Sequence, residues 1–355
     1  MRWPPFVCAA ALIFAGQPTQ GQVAPGQSQD RAQLLGGQAN LPYGPNVRPS
    51  GENQGYAVAS PNEEDIGEQQ ILKRVEEYEP FTVSVYSPFF YTSNVALVRS
   101  GEEDDFVVAP GITLLYQPRI TRTLYAELGV VQQFFLYDRF SELNFSSFDA
   151  IAGLVYYLPQ VHNLSLRARY DYNRLTDTDH FDEFFVDHSI ILNAELPFRI
   201  GRAQQLLLGV GLDLSFYANP EPPRRNNYSF YTGYDVALSR SFSIDAAARL
   251  AVRDYYVGDR TDVSEILSLS ANYRIRDWLT MSALSSFAWN QSNHSVFDYS
   301  VANIGGGART SMNEAIAIVE DLCGPVRITR TSKATGDVRH TAADVGDAVI
   351  ENAVV

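Results

Sequence analysis

Residues 164–175 read LSLRARYDYNRL, in which Leu164, Leu166, Ala168, Tyr170 and Tyr172 alternate with Ser165, Arg167, Arg169, Asp171 and Asn173. A period of two describes an extended strand whose two faces meet different surroundings. The alternation recurs along the chain. Leu208, Val210, Leu212, Leu214 and Phe216 oppose Gly209, Gly211, Asp213 and Ser215, and Leu267, Leu269, Ala271 and Tyr273 oppose Ser268, Ser270, Asn272 and Arg274. Each segment runs to about 13–15 residues, where strands of soluble sheets have about five or six. A strand that crosses hydrocarbon needs about 9–11 tilted residues.

Twelve such strands are expected, near 81–97, 104–117, 122–137, 145–158, 163–175, 185–199, 204–217, 226–240, 242–256, 262–276, 278–290 and 296–310. Their connections alternate in character. Tight ones (117–121, 159–162, 200–203, 239–241, 275–277) are interleaved with longer polar ones such as 99–105, 176–184 and 218–227. The fold expected is therefore all-β: a transmembrane, up-and-down antiparallel β-barrel of about 12 strands, with tight turns at one end and long loops at the other. A soluble barrel turned inside out would show the same local alternation. Three features favour lipid. The strands are long and no helix covers them, closure removes the unpaired edges, and the polar faces are rich in Gly, Ser and Asn. Tyr116, Tyr137, Tyr156, Tyr157, Phe198, Tyr217, Tyr255, Trp278 and Trp289 lie near strand ends, where interfacial girdles sit.

The first 21 residues, MRWPPFVCAAALIFAGQPTQG, read as a secretory signal peptide, with Arg2 ahead of an apolar stretch and small residues before the expected cleavage point. Residues 22–80 are expected to form a disordered periplasmic linker containing one short helix within 64–78, because Gln, Gly, Pro, Asn and Ser dominate 22–62. The barrel then occupies 81–312. With 41 acidic against 27 basic residues, net −14, the chain lacks the basic surface that nucleic acid requires. Of its two cysteines, Cys8 lies in the signal, leaving Cys323 without an internal disulfide partner.

The stretches FTVSVYSPFFYTSNVAL, RARYDYNRL, DEFFVDHSIIL and WNQSNHSVFDYSVANIGGG resemble a largely uncharacterised family of Gram-negative outer-membrane β-barrel proteins. The resemblance spans about residues 64–307. It implies an outer-membrane location, a signal peptide and a linker ahead of the barrel, and it supplies no substrate or catalytic residues. Such barrels close on a strand ending in an aromatic residue, whereas IGGGARTSMNEA turns polar after Gly307, so a shortened last strand is expected. The tail, 313–355, is similar to the opening half of a FecR-like periplasmic β-module, including Val345-Gly346-Asp347. An even strand number places both mature termini in the periplasm.

Parity assigns a charged face to the lumen. Its mid-height members, counted up from the tight turns, are Asp149, Arg169, Asp171, Asp213 and Arg249, which are the expected pore-lining residues. Rings of charge set selectivity in a pore, and the same residues could instead pair into a closed interior network. Two functions therefore stand. One is a porin-like diffusion channel for small polar solutes. The other is a non-conducting structural or scaffolding barrel that binds surface or periplasmic partners. No enzyme is expected. His188 and Ser189 are sequence neighbours and point to opposite faces, so they cannot form a nucleophile–base pair. The histidines show no metal-ligand spacing, and no catalytic residue, metal site or cofactor is expected. Expected partners are outer-membrane lipid and lipopolysaccharide, the barrel-assembly machinery and small polar solutes. The acidic loops at 102–105 and 177–183 suit either simple solvation or divalent cations that bridge lipopolysaccharide.

Overall fold

In the computed structural model the alternating segments close into one barrel. The structure describes residues 25–36, 80–200, 203–239, 241–276 and 278–311. The signal peptide, the helix expected within 64–78 and the FecR-like tail lie outside them.

The strands are β1 (Phe81–Thr92), β2 (Asp105–Val108), β3 (Gly111–Tyr116), β4 (Leu124–Tyr137), β5 (Phe145–Leu158), β6 (Leu164–Asp177), β7 (Glu183–Arg199), β8 (Gln204–Asn219), β9 (Arg225–Ala237), β10 (Phe242–Tyr255), β11 (Thr261–Arg276), β12 (Leu279–Ser292) and β13 (Tyr299–Ser311). Both β2 and β3 pair with β1 on one side and β4 on the other. They are two halves of one stave, interrupted at Ala109-Pro110. Pro110 has no N–H to give to the ladder, so the strand breaks there and resumes. Counted as staves the barrel has twelve, each antiparallel to its neighbours in sequence.

The last strand is not shortened. β13 pairs with β1 from Ser84↔Ser311 to Thr92↔Asn303 and closes the ring. Gly305–Gly307 permit this. A Cβ on Gly305 would lie 1.9 Å from the carbonyl oxygen of Phe89, so the glycine run that looks like a polar ending is what lets the seam strands approach.

The outward face is apolar in every stave, with Leu128, Leu154, Val210, Phe230, Leu250 and Leu269 among its exposed residues. A closed ladder leaves no strand edge exposed, and this outer face suits hydrocarbon. Inside, the lumen has two zones. Its middle and tight-turn end carry the charged face expected from parity. Towards the long loops the inward residues become apolar: Phe90, Val107, Phe135, Phe145, Leu175 and Phe185 form one buried cluster. Tyr137, Tyr157 and Tyr255, expected in the outer girdle, point inward and are buried. Aromatics occupy both parities near the strand ends, so position along the strand does not decide their face.

The apolar zone surrounds a helix. Pro25–Arg31 form α1, continued by a π-type turn over Ala32–Gly36, within a stretch expected to be unstructured linker. A twelve-residue helix is marginal on its own. Here the barrel wall supplies the core the segment lacks. Leu35 packs in the Phe90–Phe135 cluster, and Leu34 packs with Leu97 of the β1–β2 loop and with Ala288, Tyr299 and Val301 of β12 and β13. Contacts on both sides of the ring place the segment inside the barrel, at the end bearing the long loops.

Candidate functional site

The lumen below this helix is a cavity of about 400 Å³. Gln29, Ala32, Gln33 and Leu34 of the helical segment form its roof, and staves from most of the circumference form its walls. Asp149, Arg169, Asp171, Asp213 and Arg249 all lie on those walls. They come from β5, β6, β8 and β10, brought to similar height by registers such as Gly153↔Arg169 and Ile191↔Asp213.

These charges are partly paired. Glu127 on β4, almost wholly buried, sits 3.4 Å from Arg167 Nε and 3.8 Å from Arg169 Nη1. Arg169 Nη2 also lies 3.8 Å from Asp171. The side-chain amide of Gln117 donates to Glu127 at 3.2 Å. Asp149 accepts from Asn173 Nδ2 at 2.6 Å and from Ser147 Oγ at 3.2 Å. Glu195 accepts from the Tyr231 hydroxyl at 3.0 Å and from Ser165 at 3.3 Å. The Tyr231 ring reaches that position because it lies across Gly209, where a Cβ would meet ring carbon Cε2 at 2.0 Å.

Other atoms of the same set remain unmatched. Asp171 Oδ1, Asp213 Oδ1 and Arg249 Nε are buried in the wall and have no hydrogen-bond partner among the described residues. A dry interior would penalise each by several kcal/mol of desolvation, roughly. The residues that carry them line the 400 Å³ cavity, a space large and polar enough for water. Its lining therefore suits a hydrated lumen better than a sealed ion-pair network.

At the long-loop end a second charge cluster meets the helix. Asp30 Oδ1 lies 2.8 Å from Arg225 Nη1 and 3.2 Å from Arg253 Nη1. Arg253 Nη2 donates to the Gln33 side chain at 2.7 Å, and Arg31 Nε donates to the Val95 carbonyl at 2.7 Å. Arg225 Nη1 also donates to the Tyr255 hydroxyl at 2.8 Å. All three acidic and basic partners are buried; Arg253 is 0% exposed. The parity of β10 puts Arg253 on the same luminal face as Arg249, whereas no pattern in the sequence marks Arg225 or Asp30. Arg225 sits at the strand edge of a long loop, and Asp30 sits in a segment with no strand or helix periodicity.

The remaining chemistry-bearing residues are dispersed. His188 faces outward, where its Nδ1 lies 2.6 Å from the Tyr170 hydroxyl and its ring contacts Tyr172, Phe216 and Tyr217. Ser189 faces the lumen cavity. Asp177, His180 and Asp182 bring one ligand atom each within 4.8 Å of one another in the β6–β7 loop. Asp177 Oδ1 accepts the backbone N–H of His180 at 2.7 Å, so an Asx-type turn accounts for the grouping.

No known family model matches the chain, and no curated protein matches it. Among solved structures it is similar to the COG4313 outer membrane channel from Pseudomonas putida F1, at 11% identity and a TM-score of 0.49, covering 66% of this chain and 96% of that one. It is also similar to the KdgM porin, at 9% identity and a TM-score of 0.36 over 64% of this chain and 98% of that one. A third is outer membrane phospholipase A from Escherichia coli, at 10% identity and a TM-score of 0.41 over 64% of this chain and 92% of that one.

Proposed function

We propose that this chain is an outer-membrane channel whose lumen carries small polar solutes, with the start of β1 and the end of β13 on the periplasmic side. Conduction requires residues 25–36 to leave the long-loop end. The observation that carries the reading is the half-matched charge set around the 400 Å³ cavity. A structural barrel gains by pairing its interior charges completely. A channel needs fixed charges along its path, and Asp171, Asp213 and Arg249 line the cavity. Rigid staves hold the walls, whereas the roof is a short helix held by two leucines, one carboxylate and the side-chain hydrogen bonds of Arg31 and Gln33. The part that opens is therefore the helix.

The test is the reversal potential of the refolded full-length protein in a planar bilayer under a salt gradient, beside the Arg169→Ala, Arg249→Ala double variant. Removing two lumen cations should shift selectivity towards cations. An unchanged reversal potential would overturn the proposed role of these residues. Silence from protein that migrates as a heat-modifiable barrel would overturn the channel itself.

A further inference from the structure

We propose that Arg225 and Arg253 form a binding site for a carboxylate-bearing solute, and that Asp30 occupies it as an internal stand-in for that solute. The inference rests on the channel reading only for the route by which the solute arrives. The geometry brings two cations to one anion as ion pairs. Two buried guanidiniums from adjacent staves, β9 and β10, converge on a single carboxylate oxygen at 2.8 and 3.2 Å. The Tyr255 hydroxyl accepts from the same Arg225 nitrogen, Nη1, at 2.8 Å. Arg249 lies on the same face of β10, two inward positions below Arg253, and its buried Nε has no partner among the described residues.

The ion-pair balance makes the site depend on Asp30. The other mouth arginines are engaged elsewhere: Arg260 pairs with Asp262 and stacks 3.6 Å from the Phe297 ring centroid, and Arg224 lies 3.9 Å over the Tyr256 ring. For Arg225 and Arg253, Asp30 is the sole carboxylate within ion-pair distance among the described residues. When the helix leaves, two wall arginines face the lumen without a carboxylate. Paired guanidiniums bind carboxylates through short charge-assisted hydrogen bonds. The cavity directly below is of the size that holds a small organic acid. A solute carboxylate and Asp30 thus compete for one place, which couples solute binding to opening.

The experiment is isothermal titration of detergent-solubilised full-length protein with succinate. The proteins compared are the parent, Asp30→Ala, and Asp30→Ala combined with Arg225→Gln and Arg253→Gln. A tethered competitor acts at roughly millimolar effective concentration. Asp30→Ala should therefore bind succinate about tenfold more tightly than the parent, and the arginine substitutions should abolish binding. Arg225→Lys with Arg253→Lys keeps the charge and should retain part of the affinity. Heat-modifiable migration confirms that each variant is folded. Equal affinity in parent and Asp30→Ala, succinate binding that survives loss of both arginines, or inorganic phosphate binding as tightly as succinate would each overturn the proposal. The readout does not use conductance. A barrel that binds succinate but passes no current refutes the channel alone, and one that conducts without binding refutes this site alone.

Discussion

Gly209 is the position where one methyl group should have a measurable effect. Its absent Cβ leaves the space in which the Tyr231 ring lies, and a Cβ placed there would be 2.0 Å from Cε2 and 2.3 Å from Cζ. Ordinary contact begins near 3.4 Å, so in Gly209→Ala the ring must move by more than an ångström. The Tyr231 hydroxyl starts 3.0 Å from Glu195 Oε1, and a displacement of that size takes it beyond hydrogen-bond reach. A hydrogen bond to a buried charged acceptor contributes about 1.5–3 kcal/mol, and the ring's repacking adds to the loss. Gly209→Ala should therefore cost about 2–4 kcal/mol, read from urea unfolding of the barrel in lipid vesicles. Tyr231→Phe removes the same hydrogen bond without the clash and should cost about 1.5–3 kcal/mol. Because both variants lose one shared bond, their combination should be less destabilising than the sum by more than about 1 kcal/mol. Additivity within about 0.5 kcal/mol would refute the reasoning.

Two further outcomes follow from the seam and the loops. Gly305→Val places carbon where the Phe89 carbonyl stands 1.9 Å away, so β13 should fail to close on β1; the expected result is loss of heat-modifiable migration, while the same change at the loop residue Gly101 leaves migration intact. In the β1–β2 loop, the Tyr91 hydroxyl, a hydrogen-bond donor at 2.9 Å, holds the Asp104 carboxyl below the usual carboxylate range, with Arg139 3.3 Å away adding to the effect. A depressed carboxyl contributes order that is present above its unfolded value and lost as pH falls through its folded value. Amide protection factors in 93–104, taken against the intrinsic exchange rate at each pH, should therefore stay constant at neutral pH and fall only in acid below the ordinary carboxylate range, and Asp104→Asn should remove that acid step.

Much of the fold was legible because period two is a local property. The boundaries expected for β5 match the structure, and those for β10 and β11 differ by one residue at one end. Parity also placed Asp149, Arg169, Asp171, Asp213 and Arg249 on the wall of one cavity. Four features were not legible, each for its own physical reason. The apolar upper lumen was hidden because FFLY at 134–137 and FF at 184–185 are apolar at both parities, so alternation stops reporting direction. The helix at 25–36 was hidden because its burial comes from the barrel rather than from its own composition. Arg253 meets Gln33 across 220 residues of chain, and no local pattern encodes a contact at that separation. The complete last strand was hidden because the residues after Gly307 are polar and no aromatic residue ends it, whereas β13 pairs with β1 as far as Ser311.

The central claim is that a hydrated lumen runs through the barrel and that residues 25–36 stand in it. Single-channel recording of the full-length protein beside Leu35→Asp tests both halves together. Leu35 is 3% exposed within the apolar cluster, and a carboxylate there would drive the segment out while leaving every stave unchanged. The account predicts brief, infrequent openings for the parent and sustained steps of the same or larger unitary conductance for the variant. A parent that is open continuously with the conductance of the variant would contradict the helix as the obstruction. A variant that remains silent as a folded barrel would contradict the lumen as a pathway.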